Sequence, residues 1–172
     1  VVIALRDMLK LARTLKEVEK MIHQKLLKIN GRLVRDHKSS IRLFNILEAD
    51  KSYRLILNNL RRFAFEEDNS KERLCKVINK TLYKKNQIQL NLHEGTNVLT
   101  KDKINVDDSV YLDFLGKIKK HISFEKSKKC IIISGKYSGR KGTIGNVSDK
   151  TAEIILDDKT TKNLTKRSAI VI

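Results

Sequence analysis

Residue types that could do chemistry occur in this chain, but their spacing predicts no catalytic or metal site. The four histidines stand at no metal-ligand spacing from a cysteine or a carboxylate: His23, His37, His93 and His121. Two pairs of adjacent aspartates, 107–108 and 157–158, fall at strand edges or turns, where solvated turn residues explain them. The sequence therefore predicts neither an enzyme nor a bound metal, cofactor or small-molecule substrate.

The cysteines and glycines lead to the same interpretation. Cys75 and Cys130 are the two cysteines of the chain and lie far apart, which excludes a disulfide framework and a cysteine-rich zinc site and suits a reducing compartment. We interpret both as small buried hydrophobes. The glycines at 135, 139, 142 and 145 do not match a phosphate-binding loop, because that motif needs Gly-Lys-Ser/Thr ahead of a helix.

The charge of the chain favours a different chemistry, the binding of a polyanion. Among 172 residues, 37 Lys and Arg stand against 20 Asp and Glu, a net charge of +17. The excess is +6 over residues 1–48, +5 over 49–121 and +6 over 122–172. An excess spread along the whole chain fits an extended polyanion such as folded RNA, whereas a membrane-surface protein would more often concentrate it in one amphipathic helix.

The contents of hydrophobic and aromatic residues further narrow the class of protein that this chain can be. Apolar residues make up 40% of the chain, enough to bury a core, so a fully disordered basic tail is excluded. No apolar run approaches the ~18 residues that would span a bilayer. Aromatic residues make up 5% and tryptophan is absent, which is few for stacking single-stranded bases. Backbone and shape recognition of structured RNA fits better.

The first elements that would hold these cations in place are two predicted helices. Apolar spacing predicts a helix over 3–12, and a second helix runs from its N-cap Thr14 to Leu26, with Glu17 completing a capping box. Asn30-Gly31 between two short strand-like runs predicts a β-hairpin over 27–34. A basic loop at 35–38 and an apolar run at 41–47 follow.

The pattern of apolar residues in the rest of the chain predicts short β-strands. We expect a hairpin over 53–65 with Asn58-Asn59 at its turn, a helix or strand over 71–78, and a basic break at 84–86. Further strands are predicted within these ranges: 88–92, 110–114, 131–133, 144–147 and 152–156. The chain ends in the apolar run 169–172. Strands and turn signals at this density in the last third are typical of a small barrel.

Two regions resemble known RNA-binding motifs. The first resembles the S4-type motif, two helices and a hairpin that bind structured RNA, in Leu5-Arg6-Asp7, Ala12-Arg13-Thr14, Glu17-Val18, Ile22 and Ile29-Asn30-Gly31-Arg32. The second, residues 133–144 with the sequence Ile-Ser-Gly-Lys-Tyr-Ser-Gly-Arg-Lys-Gly-Thr-Ile, resembles a KOW motif. Between them, segments similar to central landmarks of ribosomal protein S4e are Tyr53-Arg54, Leu74-Cys75-Lys76-Val77, His93-Glu94-Gly95 and Asp107-Asp108-Ser109-Val110.

The order of these motifs over the whole chain resembles the ribosomal protein S4e family of archaea and eukaryotes. The family's basic, Pro-containing N-terminal extension has no counterpart here, so we expect an N-terminally truncated member. The glycine often found before the hairpin of S4-type motifs is replaced near Gln24-Lys25.

The resemblance implies an α+β fold with three domains. These are an S4-type RNA-binding domain at 1–48, a β-rich central domain at 49–120, and a KOW-containing SH3-like small barrel at 121–172. It implies a structural constituent of the small ribosomal subunit, acting in translation in the cytoplasm. The alternative is an S4- and KOW-type transcription or translation factor outside the ribosome core.

The partners implied are small-subunit ribosomal RNA and neighbouring small-subunit ribosomal proteins. We expect no membrane, no small-molecule substrate and no cofactor, and a monomer when the chain is isolated. The candidate RNA contacts of the first domain form one predicted phosphate-binding face: Arg6, Arg13, Thr14, Lys16, Lys20, Gly31, Arg32, Arg35, His37 and Lys38. For Asp7, the alternative to any RNA role is an ion pair with Arg6 or Arg13.

The candidate RNA contacts of the last domain are Lys136, Tyr137, Arg140 and Lys141. The three cations bring positive charge to the glycine-rich loop, and Tyr137 could stack on an exposed base. Gly139 and Gly142 would allow a close approach to a partner, or would serve only the geometry of a tight turn.

Overall fold

The computed structural model describes residues 1–84 and 87–172. These residues form mostly β-structure, in three antiparallel sheets of five strands each that follow one another along the chain. The predicted α+β class with an N-terminal two-helix S4-type motif is therefore wrong. One α-helix, α1 (Leu15–His23), precedes the first sheet, together with a short helical turn at Ala4–Met8.

The helix predicted over 3–12 fails for a local reason. The Leu9 N–H donates to the Ala4 carbonyl, one residue farther than in an α-helix, and Lys10 then takes a left-handed φ of 57°. The chain reverses, so that the N–H groups of Leu11 and Ala12 return to the Leu5 carbonyl. Leu5 and Ala12 reach the core from a compact turn instead of a continuous helix, and Met8 of the predicted stripe stays exposed.

Helix α1 begins where the capping pattern predicts. Thr14 Oγ1 accepts a hydrogen bond from the Glu17 N–H at 3.3 Å, and a Glu17 carboxylate oxygen accepts from the Arg13 N–H at 2.7 Å. Val18 is fully buried, whereas the helix ends at His23, before the predicted Leu26. Lys25, at a left-handed φ of 58°, turns the chain into the first strand.

The first sheet has the order β2-β1-β3-β4-β5. Its strands are β1 (Lys28–Ile29), β2 (Arg32–Leu33), β3 (Ile46–Glu48), β4 (Ser52–Leu57) and β5 (Phe63–Glu67). The predicted hairpin at Asn30-Gly31 is confirmed, with φ of 51° and 78° at these two residues, as a primed turn requires. The hairpin around Asn58 is confirmed as the β4–β5 pair.

The second sheet has the order β10-β9-β6-β7-β8. Its strands are β6 (Glu72–Lys84), β7 (Gln87–Leu92), β8 (Asn97–Thr100), β9 (Ser109–Asp113) and β10 (Ile118–Ile122). The segment expected to be helix or strand is strand β6, which pairs with β9 through its first half and with β7 through its second. In the predicted basic break at 84–86, residues 85 and 86 lie outside the described residues.

The third sheet has the order β14-β13-β12-β11-β15. Its strands are β11 (Lys129–Ile132), β12 (Lys141–Val147), β13 (Thr151–Leu156), β14 (Thr161–Thr165) and β15 (Ala169–Val171), with a short 3₁₀ turn at Lys166–Ser168. Its core is mostly aliphatic, with Ile132, Ile144 and Ile154, and also contains Phe124 and Cys130.

The three sheets meet at a shared apolar contact. Phe44 before β3, Leu74 on β6 and Ile170 on β15 form one buried cluster. Lys76 of β6, buried between the second and third sheets, donates to the carbonyls of Lys166 and Ala169 and lies 3.2 Å from Asp107 Oδ1. The division into 1–48, 49–120 and 121–172 stays a prediction, which limited proteolysis can test.

Candidate RNA-binding surface

The start of helix α1 keeps its predicted cations exposed. Arg13, Lys16 and Lys20 lie on the surface, and none of their charged side-chain nitrogens has a carboxylate within 4 Å among the described residues, although Glu17 binds the Arg13 backbone N–H. The first N–H groups of the helix have no intrahelical partner, and the Thr14 cap satisfies the one at Glu17. The N-terminal end of the helix therefore combines backbone donors with two adjacent cations, a chemistry suited to a phosphate.

Arg6 differs from these cations because it is already paired. Its Nε and Nη2 donate to the two carboxylate oxygens of Asp7, at 2.8 and 2.9 Å. This hydrogen bonding raises the pKa of Arg6 and lowers the pKa of Asp7. Of the two ion pairs expected for Asp7, the structure forms the one with Arg6, so the pair presents no net charge to a phosphate.

The N–H and the Cα of Gly31 both contact other parts of the protein, so neither is available to a phosphate. Its N–H donates to Glu48 Oε1 at 2.8 Å. An added Cβ would lie 2.9 Å from Phe114 Cβ, so the β1–β2 turn packs closely against the end of β9 in the second sheet. Gly31 therefore fixes the hairpin in place, and its backbone donor is already used.

The loop at 35–38 is organised by acidic groups. His37 Nδ1 lies 3.4 Å from Glu19 Oε1 on α1 and 3.7 Å from Asp36 Oδ1, and the Lys38 N–H donates to the same Asp36 oxygen at 2.8 Å. His37 is thus directed at carboxylates. The Lys38 side chain remains exposed.

Arg32 and Arg35 line an open cleft between the first two sheets, about 330 Å³ in volume. The sequence analysis missed two other residues that line it, Arg73 of β6 and Thr96 between β7 and β8. Neither carries a local sequence signal, because each reaches the cleft through the packing of the second sheet against the β1–β2 hairpin.

The glycine-rich loop packs on the first sheet. Gly139 has a φ of +87°, and an added Cβ would lie 1.9 Å from the Asn58 carbonyl oxygen in the β4–β5 turn. Gly142 on β12 is also crowded, since its Cβ would lie 2.6 Å from the Ile155 carbonyl oxygen. The geometric interpretation of both glycines is thereby favoured over close approach to a partner.

The side chains of this loop interact with one another. Arg140 Nη1 lies 3.1 Å from Asp158 Oδ2. Tyr137 is partly buried against the core of the third sheet. The Arg140 guanidinium and the Lys162 ammonium lie 5.9 and 5.7 Å from the centre of its ring. Lys136 and Lys141 are exposed and have no acidic partner within the described residues.

Two further cations stand beside this loop and were missed. Arg61 and Arg62 are exposed on the β4–β5 turn, whose Asn58 carbonyl meets Gly139. Asn59 of the same turn lines a second cleft, of about 300 Å³, together with Arg140 and Lys141. The signal that could have found them is the Arg-Arg pair one residue after the predicted Asn58-Asn59 turn.

The buried titratable groups serve packing and hydrogen bonding. His93 Nδ1 accepts from the Lys76 N–H at 3.1 Å, its Nε2 lies 3.2 Å from the Leu43 carbonyl, and burial lowers its pKa. Burial raises the pKa of the Cys75 thiol, and raises that of Cys130 to about 11. Within residues 1–84 and 87–172, no group of His, Cys, Asp and Glu could hold a metal ion, and no helix could span a bilayer.

Comparison with known proteins identifies the family. A family model described as ribosomal family S4e matches residues 49–117. Small ribosomal subunit protein eS4 of Methanospirillum hungatei is 34% identical over 154 residues, which cover 84% of this chain and 64% of that protein. The protein of the same name from Desulfurococcus amylolyticus is 33% identical over 162 residues, with 84% and 64% covered.

A solved structure agrees over nearly the whole chain. The crystal structure of the 30S ribosomal protein S4e from Thermoplasma acidophilum matches with a TM-score of 0.80 and 25% identity, covering 97% of this chain and 90% of that one. The chain belongs to the ribosomal S4e family, as its sequence motifs predict. It spans 64% of the length of the two curated relatives.

Proposed function

We propose that this chain is a structural, non-catalytic constituent of the small ribosomal subunit that binds small-subunit ribosomal RNA and acts in translation in the cytoplasm. The observation that carries the proposal is its similarity to proteins named small ribosomal subunit protein eS4, together with the S4e family match. Neighbouring small-subunit proteins are the second class of partner, and the isolated chain is expected to be a monomer.

The distribution of unpaired charge supports an RNA partner. In the described part of the chain, the lysines and arginines with a carboxylate within 4 Å are Arg6, Lys51, Arg54, Arg73, Lys76, Lys119 and Arg140. The other Lys and Arg whose side chains the structure describes have none, against a total of 37 Lys and Arg in the chain. Cations that the protein leaves without counter-charge are available to neutralise phosphates and release the counterions of RNA.

We assign two phosphate-binding surfaces on this basis. The first is the α1 start and the hairpin beside it, with Arg13, Lys16, Lys20, Arg32 and Arg35. The second is the glycine-rich loop with the adjoining β4–β5 turn: the unpaired Arg61, Arg62, Lys136 and Lys141, together with Arg140, whose ion pair with Asp158 is exposed and can be exchanged for a phosphate. Both are held by the sheets, so recognition rests on rigidly placed charge and shape, and no bond of the RNA is made or broken.

The proposed function is tested by the affinity for small-subunit rRNA and for an unrelated duplex of equal length across a salt series. Neutralising ~6–10 phosphates should lower affinity by about 10³–10⁵ between roughly 50 and 200 mM salt. We expect the preference for rRNA to persist as salt rises. Equal affinity for both RNAs at every salt concentration would contradict specific rRNA recognition by this chain.

A pair of substitutions at one ion pair tests the second surface. Arg140→Ala removes a cation, whereas Asp158→Asn breaks the same ion pair and keeps the cation. An RNA contact predicts that Arg140→Ala weakens rRNA binding about tenfold and that Asp158→Asn leaves it unchanged or strengthens it. Equal weakening by both variants would assign Arg140 to the loop structure instead.

A further inference from the structure

The cleft between the first two sheets has two walls from distant parts of the chain. One wall is the β1–β2 hairpin and the segment after it, which contribute Ile29, Asn30, Arg32, Leu33, Val34, Arg35 and Ser39. The other wall is Arg73 of β6 and Thr96 of the β7–β8 connection. The packing of Gly31 against Phe114 holds the two walls together. The cleft is therefore set by the packed scaffold.

The cationic groups of the cleft differ in how they are held. Arg73 is 5% exposed, and its Nε donates to the buried Glu94 Oε1 at 2.7 Å, so this charge is fixed and compensated. Arg32 and Arg35 are exposed, and the described residues place no carboxylate within 4 Å of either. Three arginines and one buried glutamate leave the cleft with an excess of positive charge.

Hydrogen-bonding groups stand beside these cations. Asn30 Oδ1 accepts from the Ile46 N–H at 2.9 Å, which leaves its amide NH₂ group to donate. The Thr96 hydroxyl donates to Glu94 Oε1 at 2.7 Å, which leaves its oxygen lone pairs to accept. Ser39 lines the same cleft. The walls thus offer both donors and acceptors.

Apolar side chains complete the lining. Ile29, Leu33 and Val34 lie in the same cleft, and Leu33 is 45% exposed. A phosphate group alone would gain nothing from these surfaces. A ligand that joins an anion to a flat apolar body with polar edges would use all three kinds of group, and a volume of about 330 Å³ lies at the lower end of small-ligand sites, about 300–1,000 Å³.

We infer that this cleft accepts one unpaired nucleotide of an RNA chain. Arg32 and Arg35 bind its phosphate by charge-assisted hydrogen bonds. Its base lies against the apolar side chains, within reach of Asn30 and Thr96. Base-paired RNA presents only its outer phosphates and groove edges, so a nucleotide extruded from a loop or bulge fits the recess better. The inference rests on the proposed rRNA function and adds to it a site for a single nucleotide.

The test is a titration of the ¹⁵N-labelled chain with AMP, followed through the backbone amide signals of Asn30 and Thr96. Adenosine and inorganic phosphate are titrated separately as the two halves of the ligand, and hexaglutamate as an acidic peptide. We expect AMP to shift both signals at concentrations at least tenfold below those needed for adenosine or phosphate. The doubly substituted Arg32→Ala, Arg35→Ala chain should bind AMP about tenfold or more weakly.

The control chain carries Lys101→Ala and Lys103→Ala, which removes the same charge from exposed positions outside the cleft. It should bind AMP like the unsubstituted chain, and equal weakening by both double variants would overturn the assignment. Shifts of equal strength with phosphate alone would reduce the cleft to an anion site. No shift with AMP, or stronger shifts with hexaglutamate, would also overturn the proposal.

Parallel rRNA-binding measurements separate this proposal from the function on which it rests. If the unsubstituted chain binds rRNA but AMP does not enter the cleft, the nucleotide site is wrong and the proposed function stands. If AMP binds but rRNA does not, the cleft exists and the proposed function is contradicted. If both proposals hold, the Arg32→Ala, Arg35→Ala chain should also lose rRNA affinity relative to the Lys101, Lys103 control.

Discussion

Replacing Gly139 with alanine tests whether the glycine-rich loop is built for packing between sheets. Gly139 occupies a left-handed conformation, φ +87°, and its N–H donates to the Ile132 carbonyl at 2.7 Å. An alanine Cβ there would lie 1.9 Å from the Asn58 carbonyl oxygen and 2.7 Å from its carbon. Because the obstacle is backbone and not a flexible side chain, the loop and the β4–β5 turn must separate.

The expected loss in the free energy of unfolding of Gly139→Ala has two parts. An alanine at a left-handed φ costs about 1–2 kcal/mol relative to glycine. Forcing extra volume into a packed contact adds about 1–3 kcal/mol. The free energy of unfolding should therefore fall by about 2–5 kcal/mol, and each 1 kcal/mol should lower the Tm by about 2–4 °C in a protein of this size.

Gly135 provides the matched control. Its φ is +86°, nearly that of Gly139, but nothing lies within 4 Å of an added Cβ. Gly135→Ala should therefore show the conformational part alone, about 1–2 kcal/mol. Urea denaturation of the two variants and the unsubstituted chain, with thermal melts alongside, measures the difference between them.

Equal destabilisation by the two substitutions would refute the reasoning, because it would mean that the contact with Asn58 carries no free energy. A Gly139→Ala chain as stable as the Gly135→Ala chain but with much weaker rRNA affinity would restore the other interpretation. In that case the glycine would serve close approach to RNA.

Three further substitutions or treatments have expected outcomes. Thr14→Ala removes the cap of α1 and should lower the free energy of unfolding by about 1 kcal/mol in urea, with Thr14→Ser close to the unsubstituted chain. Burial lowers the pKa of His93 in the folded chain below 6.5, so the unfolded state binds its proton more tightly. Stability should be full above about pH 6.5 and should fall as the pH drops towards the folded pKa, and His93→Gln should flatten this part of the profile. Cys130 and Cys75 are fully buried, and burial raises the pKa of both thiols, so a disulfide reagent at pH 8 should modify them much more slowly in the folded chain than in guanidinium.

Several local elements could be predicted from the sequence because their causes are local. Asn30-Gly31 forms a hairpin because these two residues tolerate positive φ at low cost. Thr14 and Glu17 start a helix because their side chains satisfy nearby N–H groups. Alternation of apolar residues was sufficient to find most strands, since one face of each is buried. The capping residues Thr14 and Glu17 and the Asn30-Gly31 turn are also among the residues that resemble the S4-type motif.

The N-terminal helix and the fold class could not be predicted in this way. Leu5, Met8, Leu9 and Ala12 have helical spacing, but a turn closed on the Leu5 carbonyl brings Leu5 and Ala12 to the core equally well. Periodicity indicates which residues are buried, but here it does not separate two backbone paths: the turn buries Leu5 and Ala12 as a helix would, and it leaves Met8 exposed.

The sequence by itself determined that this protein carries a large positive charge spread along its length, and which segments carry it. The tertiary structure decided which cations are free, because pairing depends on neighbours in space: Arg73 is neutralised by Glu94, 21 residues away along the chain, whereas Arg32 has no acidic partner among the described residues. It also directed the Gly31 N–H to Glu48 and brought Arg73 and Thr96 to the hairpin. Charge is a property of composition, but a binding surface requires residues from different strands to be held at fixed distances by a packed core.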